Sequence, residues 1–163
     1  MDEMKVKILT IIEKNSKMSI SDIAILLGEN EETVAQAIFE MENDKTICGY
    51  HTMINWDKVS KDRVTALIEV CVTPQRSSGF DRLAERIYNF PEVESVYLMS
   101  GAYDFCVILD GKSIREVSSF ISEKLSTLES VTSTATHFVL KKYKDHGTVM
   151  VKENKSERQL ITP

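Results

Sequence analysis

The chain has 163 residues, 42% hydrophobic and 28% charged, with a net charge of −5, a composition that points to a soluble globular protein of one or two small domains. No apolar run approaches the roughly 20 residues that a membrane helix requires, and the acidic start Met1-Asp2-Glu3 lacks a signal-peptide pattern. Cys48, Cys71 and Cys106 are odd in number and far apart, so they read as reduced, mostly buried thiols of a cytoplasmic protein and exclude a disulfide frame or zinc finger.

The charge is lopsided. Residues 1–58 hold six lysines, no arginine and eleven acids, a net of −5, whereas residues 59–163 hold 14 of each sign. Along the chain, Ile8, Leu9 and Ile12 share one face of a predicted helix over residues 4–14. Ser19 then opens Ser-Ile-Ser-Asp, a capping-box pattern in which Asp22 returns to the Ser19 amide. Ile23, Ala24 and Leu27 supply the buried face of a second helix, and Gly28 stops it. Asn30 caps a third helix, with Val34, Ile38 and Met41 at i, i+4, i+7. Three short helices with a four-residue turn before the last form a helix-turn-helix pattern. Residues 46–54 are expected to form a short hairpin or wing. The polar stretch 55–63 around Trp56 and Val59 marks the domain boundary.

A strand is expected over residues 64–73, alternating Val64, Ala66, Ile68, Val70, Val72 against Thr65, Leu67, Glu69, Cys71, Thr73. Pro74 closes it and a loop over residues 75–79 follows. A helix over residues 80–89 buries Phe80, Leu83, Ala84 and Ile87. Two strand-like runs, 93–99 and 103–109, then meet at Ser100-Gly101-Ala102-Tyr103-Asp104, where Gly101 accepts a positive φ. Asp104 has two readings: a carboxylate that bonds nearby amides to hold the turn, or an acceptor for a ligand's amino group. Asp110-Gly111 reads as a turn, and Ser113-Ile-Arg-Glu116 as a capping box for a helix lined by Ile114, Val117, Ile121 and Leu125. Residues 132–140 supply the last strand. The order strand-helix-strand-strand-helix-strand is the split βαβ, ferredoxin-like arrangement, so the fold class is α+β. It predicts a four-stranded antiparallel sheet with both helices on one face. Aliphatics on both faces of the first strand suggest that the other face meets a second copy. The expected domains are residues 1–58, 62–143 and a charged tail, 144–163, whose Thr148-Val149-Met150-Val151 patch is either an added edge strand or a loose segment.

A helix-turn-helix followed by βαββαβ resembles the leucine-responsive/asparagine-C (Lrp/AsnC) family of transcription regulators. The resemblance covers about residues 4–143. Its carriers are the helix over residues 19–28, Ile47-Cys48-Gly49-Tyr50, the Ser100-Gly101-Ala102-Tyr103-Asp104-Phe105 turn, and Thr134-Ala135-Thr136-His137-Phe138-Val139-Leu140. It implies DNA as a partner, homodimers that build up to octamers, and an amino acid or similar small effector held between C-terminal domains. Carried over, the effector site comprises Ser100, Gly101, Ala102, Tyr103, Asp104, Thr134 and Thr136, with Asp104 accepting the ligand's ammonium. Ordinary strand propensity is the competing reading of Thr134 and Thr136. The DNA-contact set is Ser19, Glu31, Thr33, Gln36 and Lys45, with Lys5, Lys7, Lys14 and Lys17 as further phosphate partners.

The chain departs from the family's pattern in the third helix. Thr33-Val34-Ala35-Gln36-Ala37-Ile38-Phe39-Glu40 lacks the usual Arg and Lys, and Glu29, Glu31, Glu32, Glu42 and Asp44 surround it, with Glu40 inside it. Two alternatives therefore compete with a DNA-binding regulator. One is a sensor of the same fold that acts without DNA. The other is an enzyme related to tetrapyrrole decarboxylases, disfavoured because His51, His137 and His146 lie far apart and no catalytic motif is present. No cofactor, metal or membrane partner is expected.

Overall fold

The computed structural model describes residues 2–60, 62–73 and 79–151. Pro74, residues 75–78 of the expected loop 75–79, and the end of the tail, 152–163, lie outside the described residues, while Gly79 opens a helix. The chain divides into two compact units, Met1–Ile54 and Asn55–Pro163, so the division falls just ahead of Trp56.

In the first unit, α1 (Glu3–Lys14), α2 (Ile20–Leu27) and α3 (Glu31–Asn43) pack around Ile8, Ile23, Ala24, Val34, Ala37, Met41 and Ile47. Each helix starts where a side chain satisfies an orphan amide. The Asn30 side-chain oxygen, Oδ1, accepts from the Glu32 amide at 2.8 Å, and the Ser19 hydroxyl accepts from the Asp22 amide at 3.1 Å. The Ser19 box differs from expectation: the Asp22 carboxylate takes the Ser19 hydroxyl at 2.6 Å rather than the Ser19 amide. Gly28 ends α2 at φ 69°, the left-handed conformation only glycine adopts freely.

No wing forms over residues 46–54. Gly49 takes no positive φ, so the chain does not reverse there. Lys45 does, at φ 64°, and Ile47 turns back to donate its amide to the Met41 carbonyl at 2.8 Å. With Ile47 used to cap α3, the remaining run has no partner strand, and an isolated two-stranded ribbon is marginal in any case. Cys48 is exposed here, contrary to the expectation of mostly buried thiols; Cys71 is half-buried and Cys106 buried.

The second unit is a four-stranded antiparallel sheet ordered β2-β3-β1-β4, from β1 (Val64–Val72), β2 (Ser95–Leu98), β3 (Phe105–Lys112) and β4 (Val131–Phe138). Helices α4 (Gly79–Tyr88) and α5 (Ile114–Phe120, continued by a wider π turn, Ile121–Leu125) cover one face. Ala66, Ile68, Val70, Phe105, Val107 and Leu109 meet Leu83, Ile87, Val117, Phe120 and Leu125 there. The Ser113–Glu116 capping box forms as expected. Ile114, expected to line the core, is 58% exposed, and Phe120 is buried in its helix's inner face instead.

Asp110-Gly111 is not a turn. β3 runs through it, and the extra residue is taken up as a bulge: Val64 pairs with Lys112 and Thr65 with Asp110. Gly111 sits at φ 76°, and Asp110 accepts from the Thr65 hydroxyl at 2.6 Å and the Gly111 amide at 2.9 Å. Beyond β4, β5 (Lys144–Asp145) and β6 (Thr148–Val149) form a small hairpin. His146 and Gly147 both have positive φ, which a primed two-residue turn requires. This hairpin is tied to the start of the unit: Asn55 Nδ2 donates to the Met150 carbonyl at 3.0 Å.

Candidate functional site

In the helix-turn-helix unit, Glu31, Thr33, Gln36 and Glu40 lie on the exposed side of α3, while Val34, Ala37 and Met41 take its buried side. That division follows from the 3.6-residue period. Thr33, Gln36 and Glu40 share one groove with Lys5 of α1. Ser19 caps α2, and its hydroxyl is engaged with Asp22. Lys45 is exposed just past α3.

The lysines named for phosphate contact fall into two groups. Lys5 donates to Glu40 Oε2 at 2.7 Å, and Lys7 to Glu3 Oε1 at 2.7 Å. The Lys5 hydrogen bond, and then one from Gln36, hold the Glu40 carboxyl below its ordinary range, and the same contact raises the Lys5 ammonium. Lys14, Lys17 and Lys45 form no ion pair among the described residues. The Gln36–Glu40 contact is an i, i+4 pair and legible in the sequence. The Lys5 contact spans 35 residues and is not.

The second candidate is the six-residue loop between β2 and β3. Leu98 and Phe105 form the last ladder pair, and the Met99 amide closes the loop on the Asp104 carbonyl at 2.8 Å. Ser100, Gly101 and Ala102 are exposed, with Tyr103 and Asp104 half-buried. Gly101 has φ 147°. The Asp104 carboxylate accepts from the Val72 amide at 2.8 Å, and the Asp104 amide donates to the Val70 carbonyl at 3.0 Å. The side chain therefore holds the turn against β1. Nothing local in the sequence points to Val72, because the contact spans 32 residues.

Thr134 pairs with Val70 and Thr136 with Ile68, so both threonines stand on the helix side of the sheet, half-buried on the outer strand β4. Thr134 reaches the same end of β1 as the turn, but β1 separates them by two strand spacings, roughly 10 Å. Within one chain the turn and the threonines thus form two neighbouring patches rather than one pocket.

The sheet face away from the helices carries Leu67, Glu69 and Cys71 of β1, Tyr97 of β2, Cys106 and Ile108 of β3, and Ala135 and His137 of β4. Tyr97 is 51% exposed. His137 Nε2 lies 3.3 Å from Glu69 Oε1. Burial, and then the Glu69 carboxylate, push the Cys106 thiol up. Among the described residues no group of His, Cys, Asp and Glu is placed to hold a metal ion, and no helix is long and apolar enough to cross a membrane.

Comparison with known proteins bears on both units. Residues 65–149 match the Lrp/AsnC ligand binding domain. The chain is similar to the uncharacterized HTH-type transcriptional regulator YugG of Bacillus subtilis (strain 168), 48% identical over 162 residues that span 99% of this chain and 98% of that one. Its fold matches a Neisseria meningitidis transcriptional regulator solved with L-Met, at TM-score 0.71 and 18% identity, covering 91% of this chain and 96% of the other. It also matches the Mycobacterium tuberculosis leucine response regulatory protein, at TM-score 0.74 and 19% identity, covering 90% and 97%. With the ligand-domain match spanning more than half of the sequence and a helix-turn-helix unit ahead of it, the chain belongs to the Lrp/AsnC family of transcription regulators.

Proposed function

We propose that the chain binds duplex DNA sequence-specifically through α3, works as a homo-oligomer joined by the open sheet face, and responds to an amino acid at the Ser100–Asp104 turn without catalysing a reaction. The observation that carries this reading is the exposed Thr33 and Gln36 pair on the third helix of a helix-turn-helix unit ahead of an Lrp/AsnC ligand domain. Thr and Gln side chains supply the donors and acceptors that base edges require. Lys14, Lys17 and Lys45 supply charge for phosphate. Asp104 offers an anion for an ammonium group, and the exposed loop amides beside it suit a carboxylate. A bound L-Met in the structurally similar Neisseria regulator supports an amino acid as the ligand class. As a regulator the protein acts beside DNA, in the cytoplasm.

Fluorescence anisotropy against the chain's own upstream region, across a salt series and with a panel of the twenty amino acids, tests this. The expected result is salt-dependent binding that at least one amino acid alters. The acidic surround of α3, with Lys5 and Lys7 already paired, favours one rival, a sensor that acts without DNA. No binding at low salt, together with an amino-acid thermal shift, would establish that rival instead.

A further inference from the structure

Both oxygens of the Glu40 carboxylate are occupied by groups from the candidate DNA-facing groove. Oε2 takes the Lys5 ammonium at 2.7 Å and Oε1 takes the Gln36 amide at 3.0 Å. Lys5 comes from α1, whereas Gln36 and Glu40 stand one turn apart on α3, so the carboxylate bridges two helices. The Lys5 side chain is 26% exposed and that of Glu40 48%. The pair is thus open to solvent on the side where Thr33 and Gln36 are presented.

We propose that Glu40 is an internal competitor for DNA phosphate, holding Lys5 in a neutral pair so that duplex must displace a carboxylate to reach it. This rests on the reading that α3 faces DNA. A carboxylate and a phosphate present the same chemistry to an ammonium, two or more anionic oxygens at hydrogen-bond distance. A free Lys5 entering a phosphate contact would release one counterion and add about 0.9 to the magnitude of the log–log salt slope. A Lys5 that only exchanges partners carries its neutralising charge into the complex already spent. The competitor also engages one of the two Gln36 amide hydrogens through its other oxygen, so removing the Glu40 carboxylate frees Lys5 and a base reader together. The consequence is a head that binds weakly alone and depends on several heads acting together.

A double-mutant cycle in the full-length protein separates this from simple repulsion by Glu40. Anisotropy is measured with the upstream duplex and a scrambled duplex over a salt series, for wild type, Lys5→Ala, Glu40→Ala and the double variant. Glu40 is exposed and Lys5 half-buried, neither in the core, and thermal melting verifies that each variant is folded. Lys5→Ala alone should change affinity less than about twofold, because Lys5 has little to give while it is paired. Glu40→Ala should tighten binding several-fold and steepen the slope by about one, and adding Lys5→Ala should remove that extra slope. Equal tightening by Glu40→Ala with or without Lys5 overturns the proposal and leaves repulsion as the cause. Gln36→Ala is the separate control for the underlying reading. If it leaves the preference for the upstream duplex over the scrambled one unchanged, α3 is not the reading surface, and the proposal falls with that reading.

Discussion

Asp104 and Val72 are joined by a 2.8 Å hydrogen bond in which the backbone amide at the end of β1 donates to the carboxylate in the loop after β2. The candidate effector turn is therefore a structural joint before it is a binding site. Any change at Asp104 acts on the sheet as well as on a ligand.

Asp104→Ala should lower stability by about 1–3 kcal/mol, because it leaves the Val72 amide without its acceptor. Asp104→Asn should cost less, since an amide oxygen still accepts from Val72. Under the effector reading, Asp104→Asn should also lose the amino-acid thermal shift, because the ammonium has lost its anion. Differential scanning fluorimetry of both variants, with and without ligand, separates the two roles. A ligand shift retained in Asp104→Asn would move the ammonium site elsewhere.

Gly101→Ala and Gly111→Ala test two kinds of glycine. At Gly101 an added Cβ would meet nothing within 4 Å, so the cost is backbone strain at φ 147°, about 1–3 kcal/mol. At Gly111 the strain at φ 76° is joined by a clash of the new carbon with the Arg63 guanidinium, the far end of a flexible side chain. That guanidinium stacks 3.9 Å over Trp56, the sole tryptophan. Gly111→Ala should therefore displace the end of the Arg63 side chain, beyond the backbone strain common to both sites, and change the intrinsic tryptophan fluorescence. An unchanged Trp56 spectrum would show that Arg63 moves without leaving the ring.

The parts of this fold legible in the sequence are those governed by short-range rules. Ser19, Asn30 and Ser113 cap helices as their spacing requires, Gly28 stops α2, and the alternation of β1 sets its buried face. The misreadings arise where a distant partner decides the outcome. Asp110-Gly111 carries a turn's composition, but Thr65 and Lys142 hold Asp110 in a bulged strand. Residues 46–54 read as a short hairpin or wing, yet Ile47 is claimed by the C-terminus of α3. The candidate site shows the same split. The exposure of Thr33 and Gln36 follows from helical period, whereas the hold of Glu40 on Lys5 and of Asp104 on Val72 needed the fold.

Asp110 should give the protein part of its acid sensitivity. Burial raises its carboxyl pKa, but the Thr65 hydroxyl, the Lys142 ammonium and the Gly111 amide outweigh burial and leave it below the ordinary aspartate value. A pKa lowered by folding means stabilisation that is complete above the unfolded value, about 3.9, and lost as pH falls through the folded one. Asp110→Asn should thus be less stable than wild type at neutral pH, with the gap closing below about pH 4. Chemical denaturation at several pH values measures the gap. A difference independent of pH would assign the loss to packing rather than charge.

The open sheet face supplies the last prediction. Leu67 and Ile108 are cross-strand partners there, both half-buried in a single chain, with Tyr97, Cys106 and Ala135 on the same face. Burying a Leu or Ile side chain fully contributes about 1.5–3 kcal/mol relative to leaving it exposed, so a second copy laid over this face gains from each of them twice. The Glu69–His137 pair would give a second copy laid over that apolar patch a polar element on which to register. Ile108→Lys would place an ammonium among these residues in each copy, and an unpaired charge is costly to bury. The sheet itself should survive, because Ile108 points away from the core formed by Val107, Leu109 and the helices. Light scattering at micromolar concentration should give wild type a mass of at least two chains and Ile108→Lys a mass close to one, with matching far-ultraviolet circular dichroism. A monomeric wild type would remove the oligomer from the proposed function. An assembled Ile108→Lys would place the contact on another surface, with the outer edge of β4 next to be tested.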